Sequence, residues 1–200
     1  MDDDERLTAE LARDLDGAFE ALVLAHQDRL YTIALRVLGN APDAEEAAQD
    51  ALVRAYRAMA GYEPQRIREL RLRGWLATIV LNLCRSRAGR KAAHGPSPLS
   101  LDLDERSPAL EPSAPPSAAP AAVAERHAER DRWAERLARL TPAYRTAVVL
   151  RHVDGLSYPE AALALGRPEG TVKAQVHRGL AQLRTMVEAD ARLAREEMTA

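Results

Sequence analysis

The chain has 200 residues, 29% of them charged and 46% hydrophobic, with a formal net charge of −2. That balance excludes a globally basic nucleic-acid binder, so any DNA-facing surface must be local, and a single cysteine, Cys84, excludes a disulfide framework or a cysteine-based zinc site. The acidic start Met1-Asp2-Asp3-Asp4-Glu5 is unlike a signal peptide, and the mostly apolar stretch Trp75 to Cys84 falls short of the about 20 apolar residues that span a bilayer.

Residues 1–16 carry seven acids against Arg6 and Arg13 and are expected to be a frayed acidic lead-in. Phe19, Leu22, Val23, Leu30, Ile33 and Val37 then recur at helical spacing. Gly39-Asn40-Ala41-Pro42 breaks that helix. Asp43 with Glu46 resembles a capping box that starts the next one, whose buried face is the stripe Ala44, Ala48, Ala51 and Ala55. Residues 61–69 are expected to be a loop. A third helix is predicted from about Leu72 to Arg87, burying Leu76, Ile79, Val80 and Leu83.

Seven of the 12 prolines fall in residues 92–123. Few large apolar side chains accompany them, so burial cannot offset the ordering entropy, and a flexible linker is expected. Beyond it, Trp133, Leu137 and Leu140 mark a helix. Thr141-Pro142 offers a threonine cap followed by proline at the first helical position. Ser157-Tyr158-Pro159-Glu160 is a capping box, Gly166 a helix stop, and Val172, Val176, Leu180 and Leu183 the stripe of a last helix. No period-two segment suggests a strand. The chain is therefore expected to be all-α, with two small helical domains at 17–91 and 124–187, the Pro/Ala-rich linker 92–123 between them, and a tail at 188–200.

Three surfaces stand out. Residues 157–184 have the layout of a helix-turn-helix. Its second helix opposes its apolar stripe with Ala174, His177, Arg178 and Ala181, flanked by Lys173 and Gln175. Small alanines permit close approach to a major groove, where Arg can bond guanine and Gln can bond adenine. Between Arg66 and Lys91 there are eight basic residues against one acid, Glu69. On the helix within that stretch, Thr78, Asn82 and Arg85 lie four and three residues apart, a surface suited to phosphates and bases. Trp75 and Tyr62 could stack on unpaired bases, although core packing is the simpler role for Trp75. Finally, Glu46, Gln49, Asp50, Val53 and Arg57 share the face opposite the alanine stripe and could dock on a basic protein surface. No histidine pair or phosphate loop has the spacing of a metal or catalytic set. Cys84 reads as a small core residue.

The motifs Asp43-Ala44-Glu45-Glu46-Ala47-Ala48-Gln49-Asp50 and Arg54-Ala55-Tyr56-Arg57 resemble region 2 of sigma-70 family factors of the extracytoplasmic-function (ECF) type. Gly74 to Asn82 is similar to that family's melting and promoter-recognition helix. Leu140 to Arg145, Leu156 to Ala162 and Gly170 to Lys173 are similar to its region 4. The resemblance implies a non-enzymatic transcription initiation factor in the cytoplasm, with core RNA polymerase and promoter DNA as partners. It leaves room for an anti-sigma factor, and implies a monomer when free, no membrane insertion and no metal or cofactor. It assigns Glu46, Gln49 and Asp50 to polymerase docking. Tyr62, Trp75, Thr78, Asn82, Arg85 and Arg87 fall to the −10 element, and Thr171, Lys173, Ala174, Gln175, His177 and Arg178 to the −35 element. The alternative is a conventional helix-turn-helix regulator that binds duplex DNA without polymerase.

Overall fold

The computed structural model describes residues 3–94 and 120–197, and no strand occurs among them. In chain order the helices are α1 (Asp3–Arg13), α2 (Leu15–Leu38), α3 (Ala41–Ala60), α4 (Pro64–Arg68), α5 (Leu72–His94), α6 (Pro120–Arg139), α7 (Pro142–Val148), α8 (Tyr158–Leu165) and α9 (Glu169–Glu197). A π-helical turn, Val149–Val153, continues α7.

Local chemistry accounts for most boundaries. Gly39 ends α2 in the left-handed region at φ 80°, which glycine adopts without a Cβ penalty. The next helix starts earlier than the Asp43–Glu46 pattern predicts. Asn40 is the cap, accepting from the Asp43 amide, with Pro42 in the first turn. Thr141 caps α7. Ser157 and Glu160 form the expected reciprocal capping box of α8, and Gly166 closes that helix at φ 63°.

Four further expectations need correction. The acidic lead-in is not frayed: Leu7 and Leu11, one turn apart, are buried together with Thr8 as α1 packs against α2 and α4. Within the expected loop 61–69, Pro64 starts the short helix α4, and Ile67 anchors it by burial. The helix α9 runs through most of the expected tail, to Glu197. The ends of the expected linker belong to α5 and α6, while residues 95–119 lie outside the described residues.

One apolar core runs through both halves. The alanine stripe of α3 lets α2 and α5 approach closely, and Leu22, Leu30, Ile33, Leu76 and Val80 fill the space between them. The same core continues into Val149, Leu150, Leu156, Ala161, Val172 and Val176. A smaller cluster, Leu137, Leu140, Val148 and Leu183, ties α6 and α7 to α9. Gly179 belongs to this packing: a Cβ there would lie 2.7 Å from Val148 Cγ2, so only glycine lets α9 sit this close to α7.

Polar contacts fasten the two halves. Arg29 on α2 donates to both carboxylate oxygens of Asp154, at 2.5 and 2.6 Å, and to the Arg73 carbonyl at 2.8 Å. Arg73 donates to the Asp154 carbonyl. The Asp154 side chain is fully buried. Arg145 donates to the carbonyls of Leu137, Ala138 and Leu140 and, across the seam, to that of Val37 at 3.0 Å. It thereby adds a donor at helix-end carbonyls, where intrahelical partners run out, while burial pulls its own pKa below the usual arginine value.

Candidate functional site

Three surfaces emerge from this frame. On α3 the buried alanine stripe forces the opposite face outward, where Glu46, Gln49, Val53 and Arg57 are exposed and Asp50 is half-buried. Gln49 donates to Glu45 at 3.3 Å. The face is thus acidic at Glu46 and Asp50, apolar at Val53, and held on a rigid helix.

The second surface lies along α5. Asn82 and Arg85 are exposed, with Arg85 donating to the Asn82 side-chain oxygen at 2.9 Å. Thr78, one turn earlier, donates its hydroxyl to the Gly74 carbonyl. Tyr62 and Trp75, both half-buried, stand 6.3 Å apart between ring centres, and the Arg66 guanidinium lies 3.8 Å over the tyrosine ring. Trp75 packs against the core by one side and does not sink into it. The chain therefore brings Tyr62, Trp75 and Thr78 together at one end of the helix, with Asn82 and Arg85 further along.

Arg87 stands apart from that group. Its side chain is only 9% exposed, and it pairs with Glu46 at 2.6 Å and Asp50 at 2.7 Å on α3. Hydrogen bonding to Glu46, opposed by burial, raises its pKa above the usual arginine value. The pattern Leu76, Val80, Leu83, Arg87 places Arg87 on the buried stripe of α5, at helical spacings of four, three and four. That spacing, readable in the sequence, points Arg87 toward α3. Cys84 beside it is buried, and burial pushes its thiol up to about 11, which leaves it inert as a nucleophile.

The third surface is α9. Val172 and Val176 are buried and Leu180 is half-buried, so Thr171, Lys173, Ala174, His177 and Arg178 face solvent. Gln175 is half-buried, its side-chain oxygen enclosed without a hydrogen-bond partner. Lys173 lies 3.5 Å from Glu169 and 5.4 Å over the Tyr158 ring. The structure thus gathers the six residues onto about two turns of α9, five of them outward. Among the described residues no group of three or more His, Cys, Asp or Glu could hold a metal ion, and no helix is long and apolar enough to cross a membrane.

The seam residues Arg29 and Asp154 carry no signal in the sequence. They are 125 positions apart, and nothing local marks them as partners.

Two family models match the chain: sigma-70 region 2 over residues 22–94 and sigma-70 region 4 over residues 130–183. The ECF RNA polymerase sigma factor SigE of Mycolicibacterium smegmatis is 34% identical over 167 residues, covering 84% of this chain. The chain spans 60% of that relative's length. The RNA polymerase sigma-E factor of Streptomyces avermitilis is 34% identical over 183 residues, with 90% of this chain and 92% of the relative covered. Among solved structures, CnrH in complex with the cytosolic domain of CnrY superposes with a TM-score of 0.66 at 27% identity, covering 94% of this chain and 99% of that one.

Proposed function

Because the chain belongs to the sigma-70 family as a sigma factor of the ECF type, we propose that it binds core RNA polymerase and directs promoter recognition, DNA melting and transcription initiation. The observation that carries this reading is the coexistence of two kinds of surface. The exposed face of α3 is acidic and built for a protein, whereas the exposed face of α9 carries Lys173, His177 and Arg178 and is built for DNA.

Each surface has a physical task. Glu46, Gln49 and Asp50 offer acceptors to a basic polymerase surface, giving charge-assisted contacts and orientation. Arg178 and His177 enter the major groove of the upstream element, where an arginine fork reads guanine. Lys173 at the start of the helix neutralises backbone phosphate. Asn82 and Arg85 face the downstream element, and Tyr62 and Trp75 offer ring faces to bases that leave the stack during melting. The polymerase supplies the chemistry, so the chain acts by positioning and is not itself an enzyme. A protein partner of the anti-sigma class fits the same reading, supported by the likeness to CnrH, which was solved with a bound protein domain.

The conventional-regulator reading explains α8 and α9 but gives no task to the acidic face of α3. The discriminating experiment adds the purified chain to core polymerase on a library of random-sequence DNA fragments and maps the RNA 5′ ends. Chain-dependent start sites, preceded by two recurring elements, are expected. Duplex binding without polymerase, and no new start sites, would instead support a conventional regulator.

A further inference from the structure

The arginine buried between α3 and α5 has a different task from its neighbours on the basic helix. We propose that Arg87 is a positioning residue for the docking face: it fixes the spacing of Glu46 and Asp50 for the polymerase and takes no part in −10 readout. This rests on the reading of α3 as the polymerase-docking face.

Four observations carry it. Arg87 lies five residues after Asn82, which is about 140° around a helix of 3.6 residues per turn, so the two side chains leave α5 in different directions. Its own direction is that of the buried stripe Leu76, Val80 and Leu83. Its side chain is 9% exposed, while Glu46 and Asp50 are 66% and 48% exposed, so the arginine is covered and the acids remain accessible. Finally, its two terminal nitrogens take different acids, one each.

The chemistry follows from that geometry. Glu46 and Asp50 are one helical turn apart, and like charges at this spacing repel. Left alone, the two side chains would spread through several rotamers, and a partner would have to order them on binding. The planar guanidinium bridges them, cancels one of their two charges, and holds both in place before the partner arrives. Because Arg87 comes from α5, the helix that faces the −10 element also sets the docking acids. A point charge such as lysine cannot reproduce the two-pronged hold.

The test uses the full chain and core polymerase, with two readouts: affinity for the core, and base preference of the assembled complex on a library of single-stranded −10 oligonucleotides at saturating protein. Arg87→Gln should weaken core binding about tenfold, while the preferred bases stay the same. Arg87→Lys should fall between, with a loss of about threefold. Adding Arg87→Gln to the Glu46→Gln/Asp50→Asn double variant should cost little more, because the residue acts through those acids. If the double variant binds the core like wild type, the docking reading falls and this inference with it. If the double variant weakens binding but Arg87→Gln does not, the docking reading stands and the role of Arg87 is overturned. A changed base preference in Arg87→Gln, or full additivity in the triple variant, also overturns it. Should Arg87→Gln fail to fold, Arg87→Lys decides: a loss with unchanged base preference supports the role, and wild-type binding refutes it.

Discussion

Two arginine–carboxylate sites in this protein are near inversions of one another. At the seam, the carboxylate is buried: Asp154 is enclosed, takes a two-pronged contact from Arg29 on its side chain, and accepts from Arg73 through its carbonyl. On the outer face of α3 the arginine is the covered member, and Arg87 spans Glu46 and Asp50, which stay accessible. A carboxylate whose oxygens are consumed inside the fold contributes to architecture. Carboxylates held from behind by a buried cation keep their outward side for a partner. The difference lies in which partner is buried, and it separates structural acids from the acids proposed for docking, which composition alone would count together.

The largest expected effect lies at the seam. Asp154→Ala leaves Arg29 with only the Arg73 carbonyl and removes the carboxylate from the bridge between the halves, while the backbone-carbonyl contacts of Arg73 and Arg145 remain. Removing one member of a buried pair typically costs about 3–5 kcal/mol; because Arg29 keeps some exposure, the lower end, about 3, is expected here. Denaturant unfolding should show that loss, and small-angle scattering should show a larger radius. Unchanged stability and radius would mean that apolar packing and the backbone-carbonyl contacts of Arg73 and Arg145 join the halves without the carboxylate.

A third arginine sharpens the contrast. Arg178 is exposed on α9 and has no acid holding it among the described residues, as the proposed base-reading role requires. Arg178→Ala should cost about 1–3 kcal/mol on the preferred upstream element and relax selection at one base pair. Lys173→Ala should weaken all promoters alike and lower the salt dependence by about one charge. Selection from randomised upstream elements separates the two. A wild-type motif from Arg178→Ala would pass the reading role to His177 or Gln175.

The smallest effect concerns His26, which is buried with neither ring nitrogen hydrogen-bonded and lies 3.6 Å from Asp4. Burial pulls its pKa below 6.5; Asp4 opposes this, and Arg29 and Arg73 reinforce it. The unfolded chain therefore takes up a proton at a pH where the folded chain does not. Stability should fall as pH drops below about 6.5, and His26→Gln should flatten that slope. Thermal midpoints on either side of that pH measure it. An unchanged slope would assign the dependence to other groups, among them His152, whose pKa burial also lowers.

Much of this was legible in the sequence, and the exceptions have physical causes. The α8–α9 unit was readable because its signals are local: a capping box, a glycine stop and a four-residue stripe. The first helix was hidden by its acidic composition, which outweighed Leu7 and Leu11. Helix α4 is too short for periodicity to register, and the tertiary burial of Ile67 that anchors it leaves no local pattern. The direction of Arg87 was masked by the run of arginines around it, although its register with Leu76, Val80 and Leu83 carries the information. The pairing of Arg29 with Asp154 is a tertiary fact with no local trace.

Polymerase binding is expected to depend on the acids of α3. Charge reversal at Glu46 and Asp50 would trap Arg87 among like charges, so the neutral, nearly isosteric Glu46→Gln/Asp50→Asn pair is the cleaner probe. Its affinity for core polymerase, measured by fluorescence anisotropy beside a circular dichroism spectrum, is the direct measurement. A loss of about 2–5 kcal/mol in binding with an unchanged helical spectrum is expected. Wild-type affinity in a fully helical double variant would contradict the account.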